Sequence, residues 1–454
     1  MDATTKFLSA YAASLMYGDL PAGTVHEARR RILDSVGCAL GAFDAAPCRI
    51  ARELAPVVQG SGAARILGSG RSTSPESAAF ANTAMIRYLD CNDSFVSPGG
   101  GHPSDMLPAV LAAAEAAGAP GRAVITALVL AYELYGQFAD RFATREKGWD
   151  QGLFIGLASA CAAGKVLGLP EDRLAHAIAM TAVSQVPLGQ TRVGELSMWK
   201  GCATAMAVRN GLFAALLARG GMDGPPEPFE GRSGLFEQVT GPLQLAGFGD
   251  ASAGVPFKLT HTSIKYFPAQ IHTQAGAGMA LELRDEFDLE DLERIRIATY
   301  RVAVRNAAGE PEKWDPQTRE TADHSLPYVV AVALADGALT PASFAEERIA
   351  DPLLRPLMRK VEVSEDPEAT RGYPAQQRAR MEVDLRSGGR LTRATDYPKG
   401  HGRNPLSDAE LEQKFHGLTA GVLPESRRAT LLELLWRFDA LENLDPLFEA
   451  ARVE

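Results

Sequence analysis

Cysteine is scarce and scattered in this chain of 454 residues: Cys38, Cys48, Cys91, Cys161 and Cys202 include no Cys-x-x-Cys pair. That excludes a ribbon-type zinc site and argues against a disulfide framework. Reduced thiols in an intracellular protein are the simplest reading. Dense basic runs are also missing, and 46 Lys+Arg against 56 Asp+Glu leave a net charge of −10. Nucleic acid and anionic membrane are therefore not expected partners, although a small basic pocket for an anionic substrate can sit inside an acidic protein. The most apolar stretches, 124–134 and 153–169, are too short to span a bilayer or are broken by Glu133 and Lys165. The first twenty residues lack a basic segment followed by an apolar run, so no signal peptide is expected. These absences predict a soluble, cytoplasmic protein. No GxxxxGK[ST], HExxH or GxSxG occurs, and no GxGxxG follows a strand. Nucleotide, zincin and hydrolase chemistries lose their usual signatures, and no His/Asp/Glu spacing compels a metal site.

What is present is ordinary globular material, 46% hydrophobic and 22% charged, long enough for two or three domains. The first half reads as Ala- and Leu-rich helix. Apolar residues recur at helical spacing over 25–40, 77–88, 106–117, 123–142, 153–167 and 173–182, with Ser74 and Pro75 as a start signal before the second. The Ala content implies close helix–helix approach. After about Lys265 the texture changes. Residues 295–304 have strand character, and 380–397 read as a hairpin turning at Ser387-Gly388-Gly389. Residues 328–335 are helical, and helix returns after Ser407. The expected fold is mainly α with a smaller α+β domain: a large helical bundle from 1–265 and 402–454, with an α+β lid domain inserted at 266–401.

Residues 87–105, RYLDCNDSFVSPGGGHPSD, are the most unusual local sequence. Asp90 and Asp93 close a helical pattern, a Ser-Pro-Gly-Gly-Gly loop follows, and the loop delivers His102. A Gly-rich loop beside a titratable His suits close approach of backbone to a ligand. Lys200, in SMWKGCATAM, is either reaching water or held in a pocket, where it acts as a base or clamps a carboxylate. Lys265, in SIKYFPAQIHTQ, lies at the change of texture with His272 seven residues on, and clefts between domains are favoured binding sites. His324 and Tyr328 in ADHSLPY offer an acid/base group and a phenol, with Pro327 arguing against a regular helix between them.

In order along the chain, RRILDSVGCALGAF, SPESAAFANTAMIRYLDCNDS, GHPSDMLPAVLAAAE, KGCATAMAVRNGLFAALLARGGMDGP, SIKYFPAQIHTQ, ADHSLPYVVAVALADG and NPLSDAELEQKF together resemble the MmgE/PrpD family. The resemblance covers nearly the whole chain. It implies a helical domain plus a smaller α+β lid domain, a homodimer, a site in the cleft between domains, and no metal, flavin or nucleotide cofactor. Carried over residue by residue, it makes Asp90, Asp93, His102, Lys200, Lys265 and Tyr328 catalytic candidates. Ser94, which keeps the hydroxyl of the family's Thr, joins His272 and His324 as substrate contacts. One departure stands out. Decarboxylase-like members carry His-Pro after a Gly-aromatic step and dehydratase-like members Asp-His, whereas this chain has Gly148-Trp149-Asp150-Gln151. That speaks against decarboxylation, while Asp323-His324 and FPAQIHTQ lean toward the dehydratase branch.

The shared chemistry is proton removal or delivery on a carbon next to a carboxylate. Lys200 and Lys265 are expected to put positive charge at carboxylate oxygens, and His102 to serve as general acid or base. Asp90 and Asp93 would orient His102 and keep the lysines charged, and the planar fork of Arg192 makes it a further carboxylate clamp. The expected function is a cofactor-independent hydro-lyase for a small hydroxy di- or tricarboxylate such as 2-methylcitrate. The alternatives are an epimerase or isomerase of a small dicarboxylate, or a non-catalytic carboxylate binder.

Overall fold

The computed structural model describes residues 1–453. It is mainly α, with 56% of residues helical and 9% in strands. Its hydrophobic clusters divide the chain. One runs from Leu8 to Ile264 and resumes from Leu406 to Ala451, while two others lie between Phe267 and Val383. The C-terminal helices Asp408–Thr419 and Glu425–Trp436 therefore close the N-terminal bundle, packing on the Ala22–Gly41 helix.

The helical periodicity folds as its spacing dictates, into helices Pro75–Tyr88, Leu107–Ala117, Gly121–Ala139, Gly152–Val166 and Glu171–Ser184. Small residues set the approach of the central pair: a Cβ on Gly211 of the Trp199–Arg219 helix would lie 2.3 Å from the Gly156 carbonyl oxygen. Among the described residues that helix is the one long and apolar enough to cross a membrane, and it lies outside the two apolar stretches singled out above. Its apolar surface meets the four helices around it, and 61% of the apolar window is buried. All five cysteines are free and buried.

The α+β domain carries a four-stranded sheet in the order Val361–Glu365, Leu292–Thr299, Ala379–Leu385, Arg390–Thr395, with the first pair parallel and the others antiparallel. Ile295 and Ile297 pair with Val383 and Met381, which puts all four on the face covered by helices Gln274–Leu283 and Leu326–Asp336. Each such side chain contributes about 1.5–3 kcal/mol by burial. The expected strand over 295–304 is shorter than its composition suggests. It ends at Thr299, and Arg301–Ala308 is a helix that buries Ala303, Ala307 and Ala308 beneath an arginine-rich outer face. The hairpin over 380–397 forms, with Gly388 at φ +95° in the turn. Pro327 does not break a helix: it occupies the first turn of Leu326–Asp336, where its missing N–H costs nothing and Ser325 caps the end.

Candidate active site

The Pro75–Tyr88 helix ends in a turn that aims a carboxylate inward. Asp90 has φ +51°, alone among described non-glycine residues in the left-handed region, a conformation Asp tolerates better than most side chains. Two strand-like contacts pin the neighbouring chain. Ser94 and Ser263 exchange backbone hydrogen bonds of 2.8 Å in both directions, and the Ile264 N–H donates to the Gly400 carbonyl at 3.0 Å. Lys265 is thereby held against Asp90.

The result is a buried charge cluster. Asp90 receives Arg87 at 3.0 Å, Lys200 Nζ at 2.8 Å and Lys265 Nζ, which also donates to the Asp90 backbone oxygen at 2.8 Å. Lys200 continues to Asp323 at 3.2 Å, and Arg319 pairs with Asp323 at 3.1 Å. Burial alone would raise Asp90, but Arg87, Lys200 and Lys265 together hold it well below the usual carboxylate range. Asp323 is likewise lowered against its burial, by Lys200 and His324, whereas burial lowers Lys265 despite Asp90. The two lysines, expected at substrate carboxylates, instead spend their donors inside this network and do not line the cleft. Asp90, Asp323 and His324 bring metal-capable atoms within 4.8 Å of one another. The Lys200 ammonium bridges the two carboxylates, so an ion there would have to displace it.

His102 and His324 connect this cluster to the cleft. The glycine loop before His102 lines the smaller part of the cleft through Ser97, Gly100 and Gly101 and is at the same time packed tightly onto its own protein. Phe95 and Gly101 pair through their backbones, the Gly99 N–H donates to the Ala139 carbonyl at 2.7 Å, and Cβ atoms on Gly99 and Gly101 would lie 2.2 Å from Phe142 O and 1.6 Å from Gln151 Oε1. The glycines let the loop press onto its own protein, which fixes His102. The His102 backbone N–H donates to Gln151 Oε1 at 2.7 Å, and Nδ1 lies 2.7 Å from the Asp93 carbonyl oxygen. A carbonyl only accepts, so Nδ1 carries the proton and Nε2 is left bare. Burial, then the Arg87 and Lys265 charges, push the ring well below its ordinary value.

His324 is tied in the same way, through Nδ1 to Asp323 Oδ1, with Nε2 3.4 Å from Asp90 Oδ2. Burial and the Lys200 charge lower it to about 3. His272 is lowered to about 3 by burial and Arg145, with Nδ1 2.7 Å from the Tyr300 hydroxyl. All three are neutral imidazoles near pH 7.

They face a cleft between the domains. A space of about 100 Å³ lined by Ser94, His102, His272 and His324 adjoins one of about 520 Å³ lined by Asp150, Arg192 and Lys313, and both are bounded by Arg145, Gln270, Arg305 and His324. Of the residues picked out from sequence, the structure therefore brings His102, His324, His272, Ser94 and Arg192 to the cleft, and Asp90, Lys200 and Lys265 to the cluster behind it. Arg192 is committed to Asp150, with Nε 2.5 Å from Oδ2. Asp93 lies deeper still, accepting from Tyr132 at 2.7 Å and the Ser104 N–H at 3.0 Å, with its carboxyl raised by burial; it reaches His102 through its backbone carbonyl alone. Tyr328 is not brought to either group. Its hydroxyl donates to Ser343 O at 2.7 Å, and its ring packs on Phe344.

Sequence reading missed Arg87, Asp323, Arg319, Arg145 and Arg305 as site residues. Only Arg87 and Asp323 adjoin a motif; the others look like ordinary surface charges until the domains meet. Gln151, read as a departure, turns out to grip the His102 backbone.

Comparison with known proteins also divides the chain near Lys265, while the second match runs on through the C-terminal helices that pack on the N-terminal bundle. Residues 6–246 match a model of the MmgE/PrpD N-terminal domain and residues 267–439 one of the MmgE/PrpD C-terminal domain. A 2-methylcitrate dehydratase of Cupriavidus necator is 30% identical, covering 89% of this chain and 88% of its own. A 2-methylcitrate dehydratase of Salmonella typhimurium is 29% identical over 89% and 87%. A cis-aconitate decarboxylase of Aspergillus terreus is 25% identical over 98% and 95%.

Proposed function

The chain belongs to the MmgE/PrpD family and is a lyase, and from that premise we propose that it dehydrates a small hydroxy di- or tricarboxylate of the 2-methylcitrate kind without a cofactor. One observation carries this reading: two neutral imidazoles from different domains meet one cleft, each with Nδ1 fixed on an oxygen, His102 with Nε2 bare and His324 with Nε2 3.4 Å from Asp90 Oδ2. A neutral imidazole is the form that removes a proton from carbon. His102 takes the proton next to the substrate carboxylate. His324, neutral in the unliganded site, takes up a proton from solvent as the negatively charged substrate binds, with Asp323 and Asp90 favouring the charged ring, and delivers that proton to the departing hydroxyl. The positive charge of Lys200 and Lys265 acts from behind, holding Asp90 ionised and in place.

Two histidines from different domains also suit a two-base epimerisation, in which one removes a proton and the other delivers one to the opposite face. That second reading differs in having no leaving group. A homodimer is part of the same proposal, and the exposed Val186, Leu188, Val193, Met198 and Trp199 give it an apolar surface to cover.

The test is incubation of chelator-treated protein with 2-methylcitrate, citrate and smaller hydroxy acids, followed by proton NMR. Loss of a hydroxy acid with appearance of its alkene is expected. Solvent deuterium incorporation without alkene would support the epimerase, and no turnover or exchange on any of these acids would overturn both.

A further inference from the structure

The cleft is richer in positive charge than the network behind it requires. Arg192 is matched by Asp150, Lys313 by Glu310 at 3.8 Å, Arg319 by Asp323 and Arg87 by Asp90. Arg145 and Arg305 bound both parts of the cleft, and among the described residues neither is in an ion pair. Among the described residues the Arg305 side chain makes one hydrogen bond, from Nε to Asn306 Oδ1 at 3.3 Å. The two arginines come from opposite walls. Arg145 opens the short Arg145–Lys147 turn of the helical domain, and Arg305 sits on the Arg301–Ala308 helix of the α+β domain. Both are solvent-exposed, and partial desolvation at the cleft wall together with the neighbouring Arg192 charge lowers Arg145 from its usual value. An unmatched guanidinium in such a place is stabilised by an anion.

A second observation points to a ligand between them. Ser97 and Gln270 line the same space, are 7% and 6% exposed, and have Oγ and Oε1 without a protein partner. Buried polar atoms without partners are uncommon in folded proteins. Glu146, a carboxylate that also lines the smaller space, is in no ion pair among the described residues.

We infer that Arg145 and Arg305 each take one carboxylate of the substrate, with Ser97 and Gln270 on its uncharged oxygens, so that the site selects di- and tricarboxylates by joining its two domains. The inference rests on the reading of this cleft as the substrate site. The guanidinium fork holds a carboxylate through two parallel N–H donors, and loss of hydrogen bonds to a charged group costs about 10- to 100-fold in affinity. A monocarboxylate engages only one fork and forfeits the other.

Isothermal titration with tricarballylate, succinate and butyrate tests this at equilibrium, because none of the three carries a hydroxyl to eliminate. For tricarballylate, Arg145→Gln and Arg305→Gln each should weaken binding by about 10- to 100-fold, with Arg305→Lys in between. Butyrate should bind the wild-type protein more weakly than succinate and respond to one glutamine variant alone. Thermal melting checks that these exposed replacements leave the fold intact. Unchanged tricarballylate binding in both variants, butyrate binding as tightly as tricarballylate, or no binding of any acid would overturn the inference. Failure of the dehydratase reading looks different: arginine-dependent tricarballylate binding with no turnover of any hydroxy acid. Turnover with a KM unmoved in both variants would sink the inference and leave the dehydratase standing.

Discussion

At the scale of single residues the account turns on histidines kept neutral by burial and positioned by oxygens. Because the His102 ring is depressed well below 6.5, kcat/KM should not fall as pH drops through 6.5 and should decline only in more acidic buffer, a trend that initial rates across pH will check. His102→Gln should lower kcat by about 10²- to 10⁴-fold, the usual worth of a positioned proton-transfer group. Lys200 makes a different prediction. Its removal leaves Asp90 and Asp323 facing each other in a buried site with one cation fewer, so Lys200→Met should cost about 3–5 kcal/mol in urea unfolding as well as activity. His102, Lys200, Lys265 and Asp90 were legible because each lies in a distinctive string of neighbours. Arg145 and Arg305 were not, since a lone arginine on a loop or an amphipathic helix carries no local mark of what will face it.

At the scale of elements, the sequence pattern served best where one periodicity ran unbroken, as in Pro75–Tyr88 or Gly121–Ala139. It misled at junctions. The β-branched run 295–304 conceals a strand-to-helix change at Tyr300, because Val302 and Val304 suit either element and the deciding burial of Ala303 and Ala307 is tertiary. The glycine loop was recognised as special for close approach to a ligand, and the fold adds a second reason: Gly100 and Gly101 line the cleft, while Gly99 and Gly101 also pack against Ala139, Phe142 and Gln151. A methyl group at Gly101 would strike Gln151 Oε1, the atom that holds the His102 backbone. Gly101→Ala should therefore depress kcat far more than it lowers the melting temperature, and the same change at Gly118, where nothing lies within 4 Å but φ is +64°, should do the reverse. Parallel measurement of kcat and Tm on the two variants separates these outcomes.

At the scale of the whole molecule, a protein of net charge −10 still places two arginines without ion pairs, Arg145 and Arg305, where its two domains meet. The division of the hydrophobic clusters near Lys265 and again before Leu406 was visible as a change of texture, whereas the juxtaposition of Arg145 with Arg305 exists only after folding. Burial of neutral histidines also couples the site to stability. A His with a folded pKa of about 3 binds its proton in the unfolded chain near 6.5, so it contributes stability above that pH which is lost progressively as the solution is acidified. Asp105, raised to about 7 by burial, runs in the opposite sense, stabilising at acidic pH and losing that contribution as pH rises through 7. His272→Asn isolates one histidine: between pH 6 and 4 its unfolding free energy should fall less steeply than that of the wild type, by about 1.4 kcal/mol per pH unit. The most direct test of the central claim is solvent-exchange NMR in deuterium oxide with 2-methylcitrate, comparing wild type, His102→Gln and His324→Gln. The account predicts alkene formation by the wild type, loss of both alkene and back-exchange in His102→Gln, and loss of alkene in His324→Gln. Full turnover in His102→Gln would contradict it.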